Sequence, residues 1–194
     1  MRDYAKDFNL DPAHTWLNAA SEGPLPNVAV SALEAIVRLK QSPYLLTIPK
    51  FVQVPIDLKA ALASLLKVNA QDIILGNSAT YGLHLLANGF PFIAGDEILL
   101  MAGDFPTDIL PWLSLPRKGV VVKQVQPKEY VLTLKEIEQA ITGRTKIICL
   151  PHVHSFSGFR LDIPSIAKTC KATGIMLVLN TSPVCAALPI LMSK

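Results

Sequence analysis

Residues 146–179 read KIICLPHVHSFSGFRLDIPSIAKTCKATGIMLVL, and this stretch decides the fold. Two short apolar runs, 146–150 and 175–179, flank a segment in which Pro164 sits where a first helical turn tolerates it and Gly174 stands where a helix stops. Strand, helix and strand in that order predict a parallel crossover unit. The second run is apolar at every position, as expected of a strand covered on both faces.

The same alternation extends back along the chain. Leu58, Leu62, Leu65 and Leu66 fall on one face of a helix. Ile73-Ile74-Leu75 reads as a short strand, after which Ser78 caps a helix running to Asn88 and stopped by Gly89. Residues 97–101 form the next strand, and β-branched Val120-Val121-Val122 predicts a central one. Thr133-Leu134-Lys135-Glu136 is a capping box that opens a helix ending near Gly143. Together these elements predict an α/β fold of three layers around a mostly parallel sheet. Residues 1–50 carry several prolines and few strand signals. They read as an N-terminal segment with one helix over 28–39, packed on a core domain of 51–194.

Composition narrows the class. The chain has 194 residues, 51% of them hydrophobic and 17% charged, which excludes a disordered chain and suffices for one substantial core. The net charge of +3 comes from scattered lysines and arginines with no basic stripe, so nucleic acid is not an expected partner. The longest apolar run, 184–192, is too short to span a bilayer and contains Pro189. No secretory signal opens the chain, and a cytoplasmic location away from membranes is the expectation. Cys149, Cys170 and Cys185 lie in apolar settings without CxxC spacing, as buried free thiols would.

Three segments carry possible chemistry. The turn Asn77-Ser78-Ala79-Thr80 precedes a helix whose first N–H groups and dipole suit a phosphate, with the Thr80 hydroxyl as a further donor. The same residues also make an ordinary helix cap. Phe105-Pro106-Thr107-Asp108 follows a strand and reads either as a capped loop or as a ring site. In the ring site Phe105 covers a flat heteroaromatic ring and Asp108 bonds its nitrogen. Val178-Leu179-Asn180-Thr181-Ser182 closes the last strand. His152 and His154 alternate to opposite faces of a strand with no third ligand, so no metal is expected. Ser155 and Ser157 lack a G-x-S-x-G elbow, and Arg160 can meet a carboxylate ligand or pair with Asp162.

In that order, these segments resemble the first half of the class V aminotransferase family of pyridoxal 5′-phosphate (PLP) enzymes. The family includes cysteine desulfurases, isopenicillin N epimerase-like proteins and kynureninases. The resemblance runs from Trp16-Leu17-Asn18-Ala19-Ala20 through Gly95-Asp96-Glu97, Phe105-Pro106-Thr107-Asp108, Pro111-Trp112, Thr145-Lys146 and 152–158 to Ala186-Ala187-Leu188-Pro189. It implies the large domain of a fold type I PLP-dependent transferase without its C-terminal small domain. It also implies PLP as cofactor, an amino acid as substrate, and transaminase, desulfurase, epimerase or lyase chemistry.

By the same resemblance Ser78, Ala79 and Thr80 hold the phosphate, Phe105 stacks on the ring, and Ser155 lines the site. Asn180 stands where the family has an Asp bonded to the pyridinium nitrogen, and Pro183 where it has a Gln or His. Asp108 is a candidate to compensate for Asn180. The family's cofactor-carrying lysine falls past the position matching Lys194, and Lys168, Lys171 and Lys194 match none of its positions. The resemblance therefore implies a truncated chain, inactive by itself, that forms a homodimer or pairs with a complementary C-terminal chain. The alternative is a non-catalytic family member that binds or scaffolds. Apolar surface around 184–192 is expected to be left uncovered.

Overall fold

A computed structural model describes residues 4–19 and 21–185. The chain divides into two compact units, with the boundary between Ile73 and Ile74.

The first unit is helical. Helix α1 spans Asn27–Gln41, slightly longer than the sequence predicts. Helix α2 spans Ile48–Leu66, begins with Pro49 in its first turn, tolerates Pro55 inside, and ends on Lys67 in the left-handed region at φ 56°. Neither helix has a buried residue, and Val30, Leu33, Val37, Phe51 and Val52 are exposed. Trp16–Ala19 form no strand, and the Trp16 indole N–H donates to the Glu22 carbonyl at 2.8 Å.

The second unit is the sheet domain. In chain order it contains α3 (Ala79–Gly89), β1 (Glu97–Met101), α4 (Pro106–Ile109), a 3-10 helix (Leu110–Lys118), β2 (Val121–Val125), α5 (Leu134–Ala140), β3 (Thr145–Pro151), α6 (Ile163–Thr173) and β4 (Met176–Asn180). The four strands among the described residues are all parallel, in the order β2-β1-β3-β4. Alternation along β1 feeds two cores. Ile98 and Leu100 join Leu83 and Ala87 of α3, Trp112 and Leu115 of the 3-10 helix, and Cys149 of β3. Leu99 and Met101 join Ile137 of α5 and Ile166 and Cys170 of α6. Helices therefore cover both faces of the sheet, giving the three layers expected.

Local signals explain the boundaries. Ser78 accepts the Tyr81 N–H at 3.1 Å and starts α3. The capping box at Thr133 and Glu136 starts α5. Asp162 caps α6 through the Ser165 N–H, and Gly174, at φ 69°, ends it.

Four expectations are corrected. Ile73-Ile74-Leu75 is not a strand: Ile74 is 80% exposed, and no described ladder takes the segment in. The Val120–Val122 strand is an outer one among the described residues, because β1 takes the centre between β2 and β3. β4 is likewise outer among them, and Met176 is exposed, so its apolar run is covered unevenly. Cys149 and Cys170 are buried free thiols as expected, whereas Cys185, in the turn after β4, is exposed. Most of 184–192 lies outside the described residues. Among those described, no helix is long and apolar enough to cross a membrane.

Candidate active site at the carboxyl edge of the sheet

In a parallel sheet the crevice beyond the carboxyl ends of the strands opens where the strand order reverses. The order β2-β1-β3-β4 puts that point between β1 and β3. After β1 the chain turns through Gly103, at φ 72°, into Asp104, Phe105 and α4. After β3 it runs through His152 and His154 into a turn over 155–157. β4 ends on Asn180, whose carbonyl accepts the His152 N–H at 2.9 Å.

The amino end of α3 meets this edge. Its first amides, at Ala79 and Thr80, precede the intrahelical ladder, and Ser78 has already taken that of Tyr81. The Thr80 hydroxyl lies 2.9 Å from the Thr107 hydroxyl on α4, which ties the helix start to the loop carrying Phe105. A Cβ at Gly76 would sit 2.8 Å from the Tyr81 ring, which would have to shift.

Beneath Thr107 lie two buried acids. Asp104 uses one oxygen to accept the Phe105 N–H at 2.7 Å, and its other oxygen is buried without a partner among the described residues. Asp108 accepts the Asn180 side-chain amide on Oδ2 at 3.0 Å, while its Oδ1 is buried without a partner among the described residues. Burial pushes the Asp104 carboxyl up to about 6 against the pull of the Phe105 N–H. Burial also pushes Asp108 up to about 6; the Asn180 bond lowers it and the Asp104 charge raises it. Burial, with Asp108 adding to it, pushes the Cys149 thiol up, so it stays protonated and inert.

An aromatic wall completes the crevice. Phe105, 44% exposed, faces Phe156 at 6.3 Å between ring centres, and Phe156 meets the edge of the His154 ring at 5.6 Å. His154 is buried, with Nδ1 2.9 Å from the Ser157 hydroxyl, which in turn donates to the Tyr130 carbonyl at 3.4 Å. Ser155 is exposed in the same turn.

The sequence profile of the aminotransferase class-V family matches residues 50–194, three quarters of the chain. The chain belongs to that family. A class-V relative, a probable cysteine desulfurase of Methanothermobacter thermautotrophicus, is 23% identical over 93% of this chain and 46% of its own length. The isopenicillin N epimerase of Amycolatopsis lactamdurans is 25% identical over 90% of this chain and 46% of its own. The chain thus spans about half the length of the curated relatives it matches. Among solved structures, a mutant of C-DES with glycine covalently linked to its PLP cofactor superposes with a TM-score of 0.86. It is 21% identical, over 98% of this chain and 52% of that one, which establishes the shared fold.

Of the residues read from the class-V resemblance, Thr80, Phe105, Asp108 and Asn180 are joined by the bonds and chain turns described above. Ser78 and Ala79 lie at the start of α3, and Ser155 is in the turn beyond β3. Pro183 is half-buried in the turn after β4. Ala186–Pro189 lie outside the described residues. Sequence reasoning missed Thr107, Asp104, His154 and Phe156 as parts of one crevice. Thr107 was inside the quoted motif, but only the crossover of β1 and β3 shows that the others converge.

Proposed function

We propose that this chain is the cofactor-binding part of a PLP-dependent class-V enzyme acting on an amino acid. The observation that carries the reading is the Thr80–Thr107 hydroxyl pair, which joins a phosphate-type helix start to the turn bearing an exposed aromatic ring. The orphaned buried oxygens of Asp104 and Asp108 fit the same group, since a buried acceptor is satisfied by a bound donor. Ala79, Thr80 and Thr107 would hold the phosphate and Phe105 would cover the ring. When bound, PLP supplies an electron-withdrawing ring that stabilises charge at the α-carbon of an amino acid. The chain's own part is to bind the phosphate, fix the plane of the ring and exclude water from one face.

The names of the relatives support an amino-acid substrate, with desulfurase, lyase, epimerase or transaminase chemistry as the candidates. A second copy of this chain or a complementary chain at the site is part of the same proposal. The reading is tested by calorimetric titration of the full chain with PLP and with pyridoxal. PLP binding at least about tenfold tighter than pyridoxal, worth about 1.4 kcal/mol, is expected from the helix start; equal affinities would refute it. A second reading, a binding module without catalysis, is favoured by Asn180, a neutral amide in the place of a family acid. It gains if PLP binds but an added amino acid leaves its absorbance unchanged.

A further inference from the structure

We infer that Asp108, held in place by Asn180, is the partner of the cofactor's ring nitrogen, so that the negative charge of the site stands on α4 after β1 instead of at the end of β4. This rests on the cofactor reading above and decides for Asp108, one of the two positions the sequence offers, over position 180.

The amide of Asn180 is fully oriented. Its Oδ1 accepts the Ser182 N–H at 3.0 Å, and its Nδ2 donates to Asp108 Oδ2 at 3.0 Å. Flipping the amide would set oxygen against carboxylate and N–H against N–H, so the orientation is determined by its neighbours. Asn180 is therefore a neutral clamp that fixes the Asp108 carboxyl.

Asp108 is 1% exposed, and the oxygen that Asn180 leaves free is buried with no partner among the described residues. A carboxylate oxygen in that state accepts a bond from any donor brought to it, most strongly from a cationic N–H. A protonated pyridine nitrogen is such a donor. The neighbouring acid Asp104 adds negative field to the same spot, which further favours a bound cation.

The choice of Asp108 over Asp104 follows from the helix. One turn carries Phe105 for the ring face, Thr107 for the hydroxyl that meets Thr80, and Asp108. A flat ligand with a phosphate at one end and a ring nitrogen elsewhere is matched by these three residues from a single rigid element. Asp104 stands before that turn, with its carboxyl turned back onto the Phe105 N–H.

The test compares two probes on the full chain: PLP, and its 1-deaza analogue with carbon in place of the ring nitrogen. Asp108→Asn is expected to weaken PLP binding by about tenfold or more while leaving the analogue within about twofold. The unchanged affinity for the analogue also reports that each variant is folded. Equal loss of both probes, or no loss of PLP, would overturn the assignment. So would a selective loss in Asp104→Asn instead. A parent chain that binds neither probe overturns the cofactor reading itself, and with it this assignment. A parent that binds PLP while Asp108→Asn binds it equally well overturns the assignment alone.

Discussion

Replacing Glu97 by Gln should destabilise the sheet domain at neutral pH and have almost no effect in strong acid. Glu97 begins the central strand with a side chain only 1% exposed. Its carboxylate accepts bonds from Lys123 at 2.7 Å, Thr142 at 2.7 Å, and Arg144 at 3.0 and 3.2 Å. The irregular register between β1 and β3 at Glu97 brings Thr145 close as well. Burial alone would raise the Glu97 carboxyl. The bonds from Lys123, Thr142 and Arg144 and the Lys123 charge more than reverse that, holding it at about 2 instead of the usual 4.5.

At full strength such a depression corresponds to about 3 kcal/mol of folding stability. Lys123 and Arg144 are 34% and 69% exposed, and water screens them, so a loss of about 1–2 kcal/mol is expected in the variant. The sign follows from the direction of the shift. A carboxyl whose folded value is depressed contributes fully above its unfolded value of 4.5, and its contribution fades as the pH falls towards about 2. The assay is urea unfolding followed by Trp112 fluorescence in a Trp16→Phe background, since Trp112 is fully buried in the sheet domain. The parent and Glu97→Gln curves should separate at pH 7 and converge near pH 2. A separation below about 0.5 kcal/mol at pH 7, or one that persists undiminished in acid, would refute the reasoning.

Other substitutions probe single features. Thr80→Val removes the hydroxyl paired with Thr107 and should weaken PLP binding several-fold in calorimetry, with little change in thermal stability. Gly119→Ala forces a side chain onto φ 76° with its Cβ 2.9 Å from that of Ala94; a loss of about 1–3 kcal/mol in denaturant unfolding is expected. Thr133→Ala breaks the capping box of α5 and should cost about 1 kcal/mol by the same measurement. Glu129 and Tyr130 both have positive φ, so Glu129→Asn with Tyr130→Gly should raise the melting temperature of the domain.

The layer architecture was legible because helix punctuation is local. Ser78, Thr133, Pro164 and Gly174 each act within a turn of where they stand, and the helices they bound follow the sequence closely. Strand status and strand order are not local. Ile73-Ile74-Leu75 has the composition of a strand but no ladder among the described residues, while β1, which opens on a charged Glu97, is buried at all five positions. Nothing near Glu97 in sequence announces that Lys123 and Arg144 will neutralise it. The site shows the same division. The motif Phe105-Pro106-Thr107-Asp108 could be read, but the bond from Asn180 to Asp108 spans 72 residues and exists only once β1, β3 and β4 are aligned.

That spacing has a consequence for how the protein assembles. Among the described strands β1 is made first, yet it is inner: it can pair with β2 soon after, but must wait for β3, whose Thr145 lies 48 residues beyond Glu97. Closures of this length carry an entropy cost before any contact offsets it, which makes parallel sheets slow to fold. Asn180 comes later still. At ribosomal rates of 5–20 residues per second, Asp108 is made roughly 4 to 14 s before the residue that orients it. Until then the acid belongs to a partly formed sheet whose inner strand has an open side, a window in which chaperone capture or mispairing competes with completion of the crevice.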